Sequence, residues 1–216
     1  MTSIAQRAMN SPVLPFIYER LWRPIGFTIA AAGRGTDAEQ ARVDALLALA
    51  PDAHVLDVAC GPGNTTRRLL GSLGPDGRIV GLDAAPTMVE RARRDTHDPR
   101  VEYVHGDGAG LPFAEATFDA VTCLGALYLV EDQEAVLDDL VRVLRPGGRL
   151  LVLTSCHRGP QLTWPVVSAL ARPAGLRVSG PDEIVAAFAY RGLVDVRREV
   201  SGVMQLVVGT APERRR

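Results

Sequence analysis

Apolar positions along the chain switch between two periods. Short runs such as "HVLDVA" (54–59), "GRIVGLD" (77–83), "RVEYVHGD" (100–107) and "RLLVLTSC" (149–156) group their apolar side chains closely, as strands covered on both faces do. "FDAVTCLGALYLV" (118–130) begins the same way. Between these runs the spacing is helical: "TTRRLLGSL" (65–73), "APTMVERARRD" (85–95) with Pro86 suited to a first turn, and "QEAVLDDLVRVL" (133–144). In the last, Val136, Leu137, Leu140, Val141 and Leu144 form one stripe, and "RPGG" (145–148) is expected to stop the helix. Residues 11–50 also read as helical, dense in Ala and Leu from Ala38 to Ala50, with Asp37 placed as the amino-terminal cap.

Strands alternating with helices predict parallel pairing, right-handed crossovers and helices on both faces, an α/β doubly wound sheet. The end of the chain differs. After a helix in "DEIVAAFAYRG" (182–192), "LVDVRREV" (193–200) and "MQLVVGTA" (204–211) are separated by a short turn. Strands this close form a hairpin, because a parallel crossover needs a dozen or more residues. The last strand is therefore antiparallel. Residues 157–180 read as an insertion rich in Pro and Gly, with a short helix around 164–171, and there are no internal repeats. The expected organisation is a helical cap over 1–36 and one core over 37–216, with 157–180 as a lid.

Composition narrows the function. The 216 residues fit one domain, and a formal net charge of −1 favours no polyanion, so nucleic acid is not an expected partner. All 24 cationic residues are arginine, which excludes a Walker A loop, a lysine Schiff base and a lysine general base. Residues 1–10 lack the apolar core of a signal peptide, and Glu19, Arg20, Arg23 and Pro24 break the only long apolar stretch before it could span a membrane. Three cysteines without a pairing pattern point to a reducing, cytoplasmic setting. The arginine-only, alanine-rich composition is associated with GC-rich bacterial sources.

The candidate site follows the first strand. Ligands of open α/β sheets lie beyond the carboxyl ends of the strands, where strand order reverses, and "ACGPGN" (59–64) occupies that place. Gly61 and Gly63 permit a sharp turn and close backbone approach. Asp57 disfavours a dinucleotide, whose pyrophosphate it would repel, and the loop lacks the G-x-G-x-x-G spacing. An acid at this strand end suits a cationic ligand such as S-adenosylmethionine, with its ammonium and sulfonium, so Asp57 is expected to face a cation. Asp83 ends the second strand, where a carboxylate accepts from ribose hydroxyls, and Asp107 follows the third, placed to meet an adenine amino group.

Four segments, "VLDVACGPGNTT", "GLDAAPTMVERAR", "GDGAGLPFAEATFDAVTC" and "RVLRPGGRLLV", resemble in order and spacing the motifs of class I S-adenosylmethionine-dependent methyltransferases. The likeness is greatest to the small-molecule branch with the ubiquinone and menaquinone methylases, and covers roughly residues 50 to 156. The resemblance implies a Rossmann-like seven-stranded sheet with a reversed last strand. It implies that Ala59, Gly61 and Gly63 pack on the methionine part, with Leu124 lining the same side. Asp83 with Ala84 would hold the ribose, and Asp107 with Gly108 and Ala109 the adenine. Ala59 departs from the glycine many members carry.

Methyl transfer needs a general base only for a poor nucleophile such as a phenol. His157, just past the fifth strand, and Tyr128 are the candidates; His105 reads as a structural strand-end residue, and His54 and His97 lie elsewhere. Tyr18 and Trp22, within an aromatic cluster, and Trp164 in the insertion are candidates to contact the small-molecule acceptor. Cys60, Cys123 and Cys156 fall near strand ends where three thiols could take a soft ion, but read as small buried residues, and no metal is expected. The alternatives are the same cofactor used for cyclisation or elimination, and binding without turnover.

Overall fold

The computed structural model describes residues 36–130, 132–157, 163–171, 177–180 and 182–213. In chain order the elements are α1 (Thr36–Leu47), β1 (His54–Val58), α2 (Asn64–Gly71), β2 (Arg78–Asp83), α3 (Pro86–Asp95), β3 (Val101–His105), β4 (Phe118–Leu124), a 3₁₀ turn (Leu127–Leu129), α4 (Gln133–Arg142), β5 (Leu144–Ser155), α5 (Trp164–Ala171), α6 (Glu183–Tyr190), β6 (Val194–Ser201) and β7 (Met204–Thr210).

The strands form one seven-stranded sheet in the order β3-β2-β1-β4-β5-β7-β6. β1 to β5 pair in parallel, and β7 runs antiparallel to both β5 and β6. The hairpin inferred from the tail is present, with the reversed strand inserted inside the sheet rather than at its edge. Order reverses between β1 and β4, so the loop leaving β1 lies at the crevice.

Alternation along each strand divides the core between the two sheet faces. Leu56, Val58, Val121, Cys123, Leu150 and Val152 pack with Leu137 and Leu140 of α4 and Phe188 of α6. Val55, Ile79, Ala120, Leu151, Leu153, Leu206 and Val208 pack with Val43 and Leu47 of α1 and Leu69 and Leu70 of α2. Both faces are dry, which is why β1 and β5 read as continuous apolar runs.

Three sequence expectations shift. "RPGG" does not terminate α4, which already ends at Arg142 with Val143 as its cap. β5 begins at Leu144, paired with Phe118, and the register resumes at Arg149 opposite Ala120. The residues between bulge out because Gly147 and Gly148 exchange backbone hydrogen bonds with Ala211 (2.9 and 2.8 Å). α1 ends at Leu47, and Ala48 leaves it with φ +42°. Asp37 is the second residue of that helix rather than its cap. Residues 1–35, nearly all of the expected cap, lie outside the described residues. The insertion carries α5 over the anticipated span.

Candidate functional site

Beyond Val58 the chain turns through residues 59–63 before α2 begins. Ala59, Gly61 and Gly63 all take left-handed backbone, with φ of +58°, +56° and +81°. A Cβ added to Gly61 would meet nothing within 4 Å, so this side of the loop is open; one added to Gly63 would lie 2.2 Å from Tyr103 Oη. Gly63 is thus required by the β3 tyrosine beneath it as well as by its φ. Ala59 holds a conformation that costs an L-residue about 1 kcal/mol or more. Ala59→Gly should therefore lose no stability in chemical denaturation, whereas Ala120→Gly, within β4, should lose about 1 kcal/mol. Equal losses would contradict the strain at position 59.

Asp57 is 2% exposed. Its Oδ2 accepts from Thr66 Oγ1 (2.7 Å) and its Oδ1 from Thr122 Oγ1 (2.9 Å). This corrects the expectation that the side chain faces a cation directly: the carboxylate is bonded between α2 and β4. Its charge is still felt around the loop, because Asp57 and Asp83 add to the burial that raises the Cys60 thiol well above its ordinary pKa.

Asp83 is the last residue of β2, half-buried, and backbone N–H groups fix both its oxygens. Gly61 donates to Oδ2 (2.7 Å) and Ala85 to Oδ1 (2.8 Å). Each oxygen keeps a further lone pair for a hydroxyl donor. Burial raises the Asp83 pKa above the usual carboxylate range, partly offset by those two N–H bonds and by the charge of His105. Ala84 is exposed, and its carbonyl lies 3.1 Å from His105 Nε2.

Asp107 is exposed, two residues beyond β3, and its Oδ1 accepts from Ala109 N (3.1 Å), closing a tight loop. Val58 and Val136 pack below Gly108. The loop is held from α4: Asp139 accepts from the N–H groups of Gly110 and Leu111, while Arg142 donates to the carbonyls of Leu111 (3.0 Å) and Phe113 (2.7 Å). Leu124, the last residue of β4, is half-buried against the same cluster as Tyr128.

His157 and Tyr128 both carry the insertion. His157 is 8% exposed; its Nε2 lies 2.9 Å from Thr163 Oγ1 and its N–H donates to Ser179 (3.0 Å). The Tyr128 carbonyl accepts from Arg177 N (2.9 Å), and Ser155 Oγ donates to the Arg177 carbonyl (3.0 Å). The return of the insertion is thus pinned across the ends of β4 and β5. Trp164 begins α5, and Tyr18 and Trp22 lie outside the described residues.

Residues 55–148 match a family model described as "Methyltransferase domain". Over 159 residues, 73% of its length, the chain is 37% identical to 2-phytyl-1,4-naphtoquinone methyltransferase from Thermosynechococcus vestitus. Residues 55–148 thus form a methyltransferase domain. The chain spans 66% of that relative, and 42% and 45% of the demethylmenaquinone methyltransferases of Lactococcus lactis and Bacillus cereus.

Solved structures place the domain in the same fold. Phosphoethanolamine N-methyltransferase 2 of Haemonchus contortus, in complex with phosphomonomethylethanolamine and S-adenosylhomocysteine, aligns with a TM-score of 0.76 at 16% identity, over 96% of this chain and 59% of that one. The [4+2]-cyclase SpnF aligns at 0.68 and 19%, over 82% and 81%. One fold thus serves two chemistries, and the site must decide between them.

The three cysteines are all buried. Cys60 packs with Val89, Ala92 and Tyr103, and Cys123 belongs to the cluster under α4. Burial and the charge of Asp57 push the Cys123 pKa up to about 12, so it is a protonated core residue. A cavity of about 380 Å³ lies at the opposite, amino-terminal edge of the sheet, lined in part by Leu47, Asp52, Asp119, Arg145 and Arg149. Its cations are already bonded: Arg145 to Asp119 (2.8 Å), and Arg149 to the carbonyls of Leu46 and Leu47 (3.0 and 3.1 Å).

Proposed function

We propose that the chain is an S-adenosylmethionine-dependent methyltransferase acting on a small quinol-type acceptor. The observation that carries the reading is Asp83, a half-buried carboxylate at the end of β2, aimed by two backbone N–H groups beside a glycine loop that is open on one side. These residues fit the cofactor. The loop side open at Gly61 admits the methionine part, Asp83 has lone pairs for ribose hydroxyls, and Asp107, Gly108 and Ala109 form the adenine loop. Acids at the ends of three consecutive strands favour a cationic nucleoside over a pyrophosphate. When bound, S-adenosylmethionine supplies an electrophilic methyl group on a positively charged sulfur.

The protein's contribution is to hold donor and acceptor in line and exclude water. Asp57 supports this from below, locking α2 to β4 so that the loop keeps its shape. The quinol class comes from the naphtoquinone relative. A quinol attacks better once a phenolic proton has left, and His157 and Tyr128 are the candidates to receive it. The segments 1–36 and 157–180 are the proposed lid, with Tyr18, Trp22 and Trp164 as acceptor contacts. No helix among the described residues is long and apolar enough to cross a membrane.

The test is turnover. With S-adenosylmethionine and a 2-alkyl-1,4-naphthoquinol, the reading expects S-adenosylhomocysteine and a methylated product in equal amounts. An acceptor altered without S-adenosylhomocysteine would favour the cyclisation or elimination chemistry to which the cyclase neighbour points. Cofactor binding carries its own pH dependence. Because the Asp83 pKa is raised, this carboxylate takes up its proton at a higher pH than an ordinary aspartate. Affinity for S-adenosylmethionine should fall as pH drops through that raised value, and Asp83→Asn should flatten the profile at a uniformly weaker level. An unchanged acid limb in the Asn variant would assign the pH dependence elsewhere.

A further inference from the structure

β3 is the edge strand beside β2, and its alternate residues 101, 103 and 105 share one side. Its register sets Tyr103 opposite Gly81 and His105 opposite Asp83, and directly paired residues project together. Tyr103 uses this placement to lie against Gly81 and Gly63, where added Cβ atoms would fall 2.7 and 2.2 Å from its side chain. His105 uses it differently. Its Nε2 lies 3.1 Å from the carbonyl oxygen of Ala84, the residue between Asp83 and the Ala85 N–H that fixes Asp83 Oδ1. The next residue, Gly106, donates its N–H to the Asp83 carbonyl (3.1 Å). The end of β3 thus grips the end of β2 by one main-chain and one side-chain bond.

We propose that His105 is a positioning residue for the nucleoside end of the cofactor: its ring N–H holds the Ala84 carbonyl, and its imidazole is paired in register with Asp83. The proposal rests on the reading of Asp83 as the ribose carboxylate. The first role fixes the peptide that delivers Ala85 N–H, and so the direction in which Asp83 presents its free lone pairs. The second is electrostatic, since the His105 charge pulls the Asp83 pKa down against the burial that raises it. The charged groups around the imidazole come from three elements. Asp83 faces it from β2; Arg93 of α3 reaches the Tyr103 carbonyl (2.5 Å) two residues below; Asp107 follows it on the loop and is turned toward Ala109 N. Among these, Asp83 is the carboxylate paired with it in register.

The test is calorimetric titration of S-adenosylmethionine into the parent, His105→Ala and His105→Gln at about pH 8 and at stepwise lower pH. His105 is exposed, so both variants should fold, checked by thermal unfolding. Near pH 8, His105→Ala should bind about 5-fold more weakly, the loss of one hydrogen bond. His105→Gln should recover most of that, because its amide donates to the Ala84 carbonyl. As the pH is lowered both variants should lose affinity at a higher pH than the parent, because neither keeps the imidazole that lowers the Asp83 pKa. Variants that match the parent across the range, or a glutamine variant no better than alanine with an unshifted acid limb, would overturn the proposal. If the parent itself takes up no S-adenosylmethionine, the functional reading fails; if the parent binds and the variants match it, only the role of His105 fails.

Discussion

Asp83→Ala should weaken S-adenosylmethionine binding by about two to four orders of magnitude while leaving the fold intact. Two hydroxyl hydrogen bonds to a charged acceptor contribute about 1.5–3 kcal/mol each, and about 1.4 kcal/mol corresponds to tenfold in affinity. The substitution also frees the Gly61 and Ala85 N–H groups that the carboxylate now holds at 2.7 and 2.8 Å, so the glycine loop loses its tether to β2. Asp83→Asn keeps one carbonyl acceptor and should fall between the two. Calorimetry with circular dichroism on the same samples separates lost binding from lost structure. An alanine variant within threefold of the parent would remove Asp83 from the site.

Gly63→Ala should destabilise the domain by about 2–5 kcal/mol. Left-handed backbone costs an L-residue about 1–2 kcal/mol, and φ at this position is +81°. Overpacking adds about 1–3 kcal/mol, because the new Cβ would approach Tyr103 Oη to 2.2 Å and its Cζ to 2.8 Å. Only the second cost depends on the tyrosine. Combining Gly63→Ala with Tyr103→Ala should therefore cost less than the sum of the single changes by about 1 kcal/mol or more, as contacting residues do in a double-mutant cycle. Denaturant midpoints of the four proteins measure this. Strict additivity would mean that the tyrosine does not constrain the loop.

The periods of 2 and 3.6 were enough to read the sheet, because β1, β2 and β5 are covered on both faces and their apolar runs have no polar side to confuse the pattern. The short gap at Gly202 and Val203 was enough for the reversed strand. The positions of Asp83 and Asp107 at strand ends were legible for the same reason. The partners were not. Thr122 reaches Asp57 from 65 residues away, and nothing local marks it. Asp139 and Arg142 resemble an ordinary solvated i, i+3 pair on α4, yet they hold the loop at 110–113. Position 57 shows the limit most plainly. An acid before a glycine turn can face the ligand or brace the turn, and only the two threonine hydroxyls reveal that it does the second. "RPGG" misled because Pro and Gly stop helices in general, whereas here their backbone is satisfied by Ala211 from the neighbouring β7 side.

The central claim is that the crevice beyond β1 and β2 selects a sulfonium nucleoside. Its most direct measurement is a calorimetric titration of the unmodified chain with S-adenosylmethionine, S-adenosylhomocysteine and NADH in parallel. The account predicts one saturable site per chain for the first two and no heat of binding for the third; NADH uptake without S-adenosylmethionine uptake would contradict it.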